Sequence, residues 1–517
     1  MSLLLVRHAL LSLSDRTGAD VLARALAAQG ATLWATEGTR QALADAVVDI
    51  KPVSELVGQG AWLGGRVKTL HPSLLGGVLA RRNIPEDMKD LEERGVPAFD
   101  LVACTLYPFE DLPADARWDQ LIETIDIGGV TLLRAAAKNV RDVAVLSSPL
   151  QYADALLALE EQGGLPDDLR LAWARAAFER TALYDAAIAR RFAEADAAAE
   201  TGPPAVWMRA YRRLRTLRYG ENPHQEAALY VEHAAGAAAA PAVDAVLEGK
   251  ELSYNNLVDL DAATALVHEF AGPACVIIKH NEPAGVGRGA RVLDAFTRAF
   301  EADALSAFGG VVAFNTEVDA ATAEALAKPF LECVAAPAFV PAALDLLRVK
   351  KNLRLVRSHP PEAPRWEARA LGDGALVQGV RADAPGMRLE VVTRRAPTPE
   401  EMEALLFAWT VVGHARSNAI VIARADRTLG IGSGQTSRID AVEVALMKAR
   451  RSGHDTQGAV LASDGFFPFG DWVAPARAAG IGCAIQPGGS LRDAESIAAC
   501  DEAGLALVMT GRRLFRH

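Results

Sequence analysis

Short apolar runs, many of them β-branched, recur along this chain, and each stops at a cluster of Gly, Pro, Asp, Ser or Thr before a helical pattern begins. No other feature narrows the fold as much. Strands that alternate with helices pack as an α/β layer around a mostly parallel sheet. Residues 1–150 follow this grammar, and the last third repeats it. Residues 1–14 read as one strand running from edge to core and ending at Leu11-Ser12-Leu13-Ser14. Their basic residues interrupt the apolar run instead of preceding it, unlike a secretory leader. Asp15-Arg16-Thr17-Gly18 then turns into a helix that starts near Ala19. A second strand, Ala31 to Ala35, ends in Thr36-Glu37-Gly38-Thr39 before another helix.

At 517 residues the chain exceeds what one core can organise, so two to four domains are expected. Half of it is apolar and 23% is charged, which suits a soluble globular protein. A net charge of −11 argues against a general binder of nucleic acid or anionic membrane. An anionic substrate must therefore be held by a few local Arg and Lys side chains. No apolar run approaches the roughly 18 residues of a membrane span. The cysteines (104, 275, 333, 483 and 500) are odd in number and widely spaced, without a CxxC pair. That pattern supports neither a disulfide framework nor a structural zinc site, and it points to a reducing cytoplasm.

Hydroxyls and glycine at strand-to-helix turns bring backbone N–H groups to helix N-termini, where phosphates bind. The turns at 14–18 and 36–39 are of this kind, and they read equally well as ordinary helix caps. Leu63-Gly64-Gly65-Arg66-Val67-Lys68-Thr69-Leu70-His71-Pro72 reads as a loop closing over an anion. Strand Leu101 to Leu106 leads to Tyr107-Pro108-Phe109. Asp126-Ile-Gly128-Gly129 opens a helix from Val130 that carries Lys138, facing either the same crevice or solvent. Helical sequence fills 151–195, a linker follows at 197–205, and 234–241 reads as a surface loop.

The stretch Cys275-Val-Ile-Ile-Lys279-His280-Asn281-Glu282-Pro283-Ala284-Gly285 runs a buried strand into a lysine and a histidine, with Pro283 and Gly285 expected to turn the chain. A permanent cation beside a group that titrates near neutrality suits acid–base catalysis. Taken alone, the pair also fits a solvated strand end. A charged, poorly patterned segment at 350–400 suggests a split between two subdomains. Ser417 to Ala423 reads as a strand. Gly430-Ile-Gly432-Ser433-Gly434 looks like a glycine loop before a helix, though the third glycine of GxGxxG is missing. Phe466, Phe467 and Phe469 lie beside Asp464 and Asp471, either as core or as a wall for a flat heteroaromatic ligand.

GGRVKTLHP, IDIGGVTLLRAAAKN, RYGENPHQ, GKELSYNN, the Lys279-His280 turn, SAFGG, GSGQTSRI and FFPF occur in one order over nearly the whole chain. Together they closely resemble the bifunctional AICAR transformylase/IMP cyclohydrolase family. The resemblance implies an α/β protein in two parts. Residues 1–197 would be a methylglyoxal-synthase-like cyclohydrolase. Residues 198–517 would be a transformylase of two cytidine-deaminase-like subdomains that lack zinc; PCxxC is absent. It further implies formyl transfer from 10-formyltetrahydrofolate to AICAR, closure of FAICAR to IMP with loss of water, no catalytic metal, and a homodimer with shared transformylase sites.

Carried over by position, His280 resembles the general base for the AICAR amine, and Lys279 the group that stabilises charge on the formyl oxygen. Asn418 resembles the residue that orients them. Arg218, Tyr219, Gly309, Glu332, Arg438, Phe466 and Arg513 match AICAR-binding positions, and Ile439, Asp471, Ser490 and Leu491 match folate contacts. In the cyclohydrolase, Lys68, Tyr107, Asp126 and Lys138 match positions around the closing ring. Ser14, Asp15, Arg16, Thr36, Gly38, Thr39, Arg66 and Thr69 match nucleotide-binding positions. The chain departs from the family pattern at Arg16, at Thr36-Glu37, at Thr105, which replaces an Asn, and at Asn281-Glu282 and Ala284. Glu37 is expected to point outward from its loop. Other readings are a nucleotide-binding regulator with decayed sites, which a turnover assay separates, and a zinc-dependent base deaminase, which metal analysis separates.

Overall fold

The computed structural model describes residues 3–46, 49–58, 63, 66–195, 202–232, 243–361, 366–380 and 387–517. Gly64-Gly65, the expected boundary at 197/198 and the expected loop at 234–241 lie outside the described residues. The chain forms two compact units, Met1–Arg212 with Glu232–Ala239, and Arg213–Val231 with Ala240–His517.

In the first unit, five strands make a wholly parallel sheet in the order Ile50–Pro52, Thr32–Ala35, His8–Leu13, Leu101–Thr105, Ala144–Leu146. Apolar cores lie on both faces, which explains why these strands read as continuous hydrophobic runs. The opening segment is not the single strand expected. Leu3–Leu4 pairs antiparallel with Leu165–Pro166, and a separate strand starts at His8. Asp100 sets that start, because its carboxylate accepts the backbone N–H groups of Arg7 (2.8 Å) and His8 (2.9 Å).

The second unit is built around one twelve-stranded sheet. Between the edge strands Val243–Glu248 and Glu390–Val391, its strands fall into two equivalent sets. Each consists of an antiparallel hairpin, an antiparallel neighbour and two further parallel strands: 274–288, 311–314, 333–336 and 354–358 in one, and 420–432, 460–463, 483–486 and 506–509 in the other. Over the capped helix and the hairpin, the sequence carries the same duplication at one constant offset. Ser253 recurs as Thr398, and each caps a helix (Tyr254–Val267 and Pro399–Val412) with a reciprocal capping box. Gly285 and Gly287 recur as Gly430 and Gly432. The two capped helices share one core with both halves of the sheet, whereas the opposite face has a separate core for each half.

The halves join where Glu282–Arg288 meets Arg427–Gly432 antiparallel, at Gly287 and Arg427. The Thr428 hydroxyl accepts the Val286 N–H (3.0 Å) at this seam. Two sequence expectations fail here. Pro283 and Gly285 do not turn the chain but lie within the strand Glu282–Arg288. The turn is His280-Asn281, with Lys279 paired to Glu282. Likewise Gly430 and Gly432 end a strand and do not form a nucleotide loop. A Cβ on either would collide with the backbone of the helix Arg438–Arg451, at Ala445 and Ala441, and Gly285 and Gly287 meet Ala299 and Ala295 in the same way. The glycines let a helix, not a phosphate, approach the strand. The strand expected from Ser417 begins at Ile420, because Asn418 pairs with Gln435 instead.

Gly432→Ala should therefore destabilise the protein by about 1–3 kcal/mol, since neither backbone can yield. Gly272→Ala, which meets nothing within 4 Å, should stay within about 0.5 kcal/mol. Urea midpoints of the two variants check the contrast.

Candidate functional site

The strand order of the first unit reverses direction between His8–Leu13 and Leu101–Thr105. Ligands of open parallel sheets bind beyond the carboxyl ends of the strands at such a switch point. Ser14 and Asp15 follow one of these strands, and Tyr107 follows the other. Thr105 joins the two loops. Its buried hydroxyl accepts the backbone N–H of Ser14 (2.8 Å) and Asp15 (2.9 Å) and donates to the Asp15 carbonyl (3.1 Å). Thr39, also buried, accepts the Leu13 N–H (2.8 Å) and stands 3.1 Å from the Thr36 hydroxyl. Arg16 extends to Gly38, with its guanidinium 3.5 Å from where a Cβ would stand. Residues 14–16, 36, 38 and 39 therefore form one lip. Glu37 is exposed on the flank of its short helix, held by Arg40 (2.8 Å) and Gln41 (2.9 Å).

Across that edge, Asp126 caps the helix Gly128–Lys138 by accepting the Gly129 N–H (2.7 Å). It also accepts the Tyr107 N–H (3.4 Å), and its own N–H donates to the Tyr184 hydroxyl (2.9 Å). A Cβ on Gly129 would collide with this carboxylate, and one on Gly128 with the Thr69 hydroxyl. Burial pushes Asp126 above the ordinary carboxylate range, while the Gly129 and Tyr107 N–H groups and the Lys68 cation pull it back. Lys68 Nζ reaches the Tyr107 hydroxyl (3.4 Å), and Arg66 pairs with Glu123. Lys68, Thr69, Tyr107 and Asp126 thus come together. Lys138 does not join them: it is exposed at the far end of its helix, about 15 Å along the axis from Gly128.

In the second unit, the strand Ala274–Lys279 ends in a two-residue turn whose residues are both left-handed, His280 at φ 54° and Asn281 at φ 62°. Lys279 Nζ donates to the Phe308 carbonyl (2.6 Å), next to Gly309. Gly309 takes φ 73° and donates to the Phe330 carbonyl (2.8 Å). Glu332 accepts from Asn256 Nδ2 (2.7 Å), and Asn255 Nδ2 donates to the Glu221 carbonyl (3.3 Å) in the loop after Arg218-Tyr219. The Asp259 carboxylate accepts the Asn281 N–H (2.6 Å). One helix start, Tyr254 to Asp259, therefore contacts three of the predicted segments. Asn256 was visible within GKELSYNN, but Asp259, one step further along the same face, carried no signal of its own.

Arg438 is buried and pairs with the fully buried Asp464; it donates to the Ser463 hydroxyl (2.8 Å) and to Asn418 Oδ1 (2.6 Å). Asn418 Nδ2 donates to the Gln435 carbonyl (2.9 Å). The Phe515 ring lies under both Arg438 (5.9 Å) and Arg513 (4.4 Å), so two predicted AICAR arginines meet on one aromatic that sequence reasoning missed. Of the FFPF motif, Phe467 is core, stacked on Trp472 at 4.3 Å, while Phe466 is exposed. Glu282 links the two groups by accepting the Arg416 N–H (3.2 Å), two residues before Asn418. Among the folate candidates, Ile439 packs on the core, Asp471 and Leu491 are exposed, and Ser490 caps the backbone of Arg492 (3.1 Å). Among the described residues, no group of three His, Cys, Asp or Glu could hold a metal ion, and no helix is long and apolar enough to cross a membrane.

A parallel sheet with polar loops at its switch point, together with a duplicated sheet presenting a Lys-His turn, defines a two-part enzyme. The sequence model of the AICARFT/IMPCHase bienzyme family matches residues 136–448, and that of the MGS-like domain matches residues 18–131. The bifunctional purine biosynthesis protein PurH of Myxococcus xanthus is 47% identical over 98% of this chain and all of its own length. The PurH proteins of Parasynechococcus marenigrum (48%; 98% of this chain, 99% of theirs) and Anaeromyxobacter dehalogenans (47%; 99% and 100%) are similar to the same degree. The chain belongs to the AICARFT/IMPCHase bienzyme family: it is a bifunctional enzyme of purine biosynthesis, an AICAR formyltransferase and an IMP cyclohydrolase.

Thr105→Val keeps the shape but leaves two loop N–H groups without their acceptor. It should cost about 1–3 kcal/mol and raise KM for FAICAR in the cyclisation assay, with formyl transfer unchanged. A second expectation concerns pH. The folded state holds the Asp126 proton to higher pH than the unfolded chain does. The stability this group contributes is therefore complete below the ordinary carboxylate value and is lost as pH rises through the raised one. Asp126→Asn keeps an acceptor for Gly129 and removes the titration. The stability of this variant relative to the parent should rise between pH 4 and pH 7, read from urea midpoints at each pH.

Proposed function

We propose that the two activities divide between the two parts of the chain, cyclisation in 1–197 and formyl transfer in 198–517, the latter in two subdomains that split within 350–400. The carrying observation is that the Lys279-His280 turn, Gly309 and Glu332 share one bonded neighbourhood around the start of the helix Tyr254–Val267. In this reading His280 takes the proton from the AICAR amine as the C–N bond forms. Lys279 leaves the Phe308 carbonyl for the oxygen of the formyl group, where negative charge grows. Asn418, fixed by Arg438 and Gln435, orients the amine. Arg438 and Arg513, brought together by Phe515, hold the nucleotide with Arg218, Tyr219, Glu332, Gly309 and Phe466. The formyl donor is 10-formyltetrahydrofolate, in contact with Ile439, Asp471, Ser490 and Leu491. A homodimer with shared transformylase sites completes the proposal.

For cyclisation, the lip formed by Ser14, Asp15, Arg16, Thr36, Gly38 and Thr39, with Arg66 and Thr69, holds the nucleotide. Tyr107, Asp126 and Lys68 surround the closing ring. Closure within one molecule needs register and charge stabilisation more than a strong base. Lys68 is the cation that supplies this beside Asp126; Lys138, to which the resemblance gives proton transfer, stands outside this group and has no step in this reading.

His280→Ala should lower formyl transfer by at least about a hundredfold and leave cyclisation of supplied FAICAR within about twofold. Lys68→Ala should show the reverse. FAICAR and IMP followed separately report both, and loss of both activities in a folded single variant contradicts the division.

A further inference from the structure

The duplication inside the second unit supplies an internal control for the catalytic turn. Both sets have a hairpin joined by two residues, His280-Asn281 in one and Ala425-Asp426 in the other, with Lys279↔Glu282 and Arg424↔Arg427 as the closing pairs. Only the first is left-handed at both positions. Apart from Leu63, His280 and Asn281 are the only non-glycine residues with positive φ among those described. Two-residue hairpins of this type favour Asn-Gly, and a side chain in that region costs about 1 kcal/mol or more. His280 has no glycine's freedom, so something outside the turn must hold it.

The duplication also shows what that is. At the repeat offset that equates Leu260 with Leu405 and Ser253 with Thr398, Asp259 corresponds to Ala404. Where the helix carries a carboxylate the turn is left-handed, and where it carries a methyl group the turn is ordinary. Asp259 Oδ1 accepts the Asn281 N–H at 2.6 Å, and the backbone N–H of His280 lies close to the same carboxylate. Asp259 stands on a helix anchored by its capping box and by Leu260 in the shared core, so the position of the acceptor does not depend on the turn.

We propose that Asp259 is a positioning residue for formyl transfer, holding the His280-Asn281 turn in the left-handed conformation that presents the imidazole to the amine. This rests on the reading of His280 as the base. Asp259 touches neither substrate in this scheme and acts through the backbone of the turn. Its loss should therefore alter the rate of the bound complex more than its formation.

The test compares Asp259→Leu, Asp259→Asn and His280→Ala, with each Asp259 variant also made in the His280→Ala background. Leucine is a good helix former of similar size, so the helix should persist. With Asp259→Leu, kcat for formyl transfer should fall about tenfold to hundredfold, as expected for a misplacement near 1 Å. KM for AICAR should stay within about twofold. Asparagine keeps the acceptor and should restore most of kcat. In the His280→Ala background, Asp259→Leu should add no further loss. Parental kcat in Asp259→Leu while His280→Ala is inactive overturns this inference alone. Full activity of His280→Ala overturns the reading on which it rests. Equal falls of kcat and stability in the leucine and asparagine variants would reduce Asp259 to a structural role and also overturn the proposal.

Discussion

The second unit depends on how closely two helices can approach two central strands. Gly285, Gly287, Gly430 and Gly432 bring helix backbone against strand backbone with no side chain between them. Any Cβ at these positions would push a helix outward, separating the strands Glu282–Arg288 and Arg427–Gly432 where the halves meet. The hairpin bearing Lys279 and His280 and the segment bearing Asn418 are continuous with that seam. The placement of the groups proposed to react is thus set by packing in which none of them takes part.

The first unit solves its positioning problem differently. Its sheet is parallel throughout, so every loop at one edge follows a strand end, and a reversal of strand order opens the crevice. What remains is to stop the loops from drifting. Buried hydroxyls do this: Thr105 bridges two loops, and Thr39 ties the end of one strand to the start of the helix that follows the neighbouring strand. A threonine at 105 has no amide to offer a ligand, but its single oxygen serves three backbone groups. Glu37, whose carboxylate is exposed and paired along the helix flank, leaves the lip uncluttered.

How much of this was legible in the sequence depended on how local the physics is. Buried strands such as Cys275–Ile278 and capped helices were readable because burial and capping leave marks on adjacent residues. The glycine pair at 430 and 432 was misread because GxG looks the same whether the close visitor is a phosphate or a helix. On composition Pro283 and Gly285 read as turn formers, whereas the turn is made by His280 and Asn281, which need a carboxylate from a helix some twenty residues earlier. Phe515 was invisible because its value lies in uniting Arg438 with Arg513, which only the folded chain does. Motif resemblance reached many of these positions, since it carries tertiary information that periodicity lacks.

The two ends of the seam differ in how they are bonded. At one end Arg288 donates twice to the Ala425 carbonyl (3.0 and 2.7 Å), its N–H binds Asp426 O (2.8 Å), and Arg298 clamps the Asp426 carboxylate (3.0 Å). At the other, Glu282 meets Arg416 through one N–H bond at 3.2 Å and a loose ion pair at 3.7 Å. The seam is therefore gripped from within at one end only, and the other end borrows its hold from outside: Asp259 steadies the turn that bears the imidazole, while Arg438 and Gln435 steady the Asn418 amide.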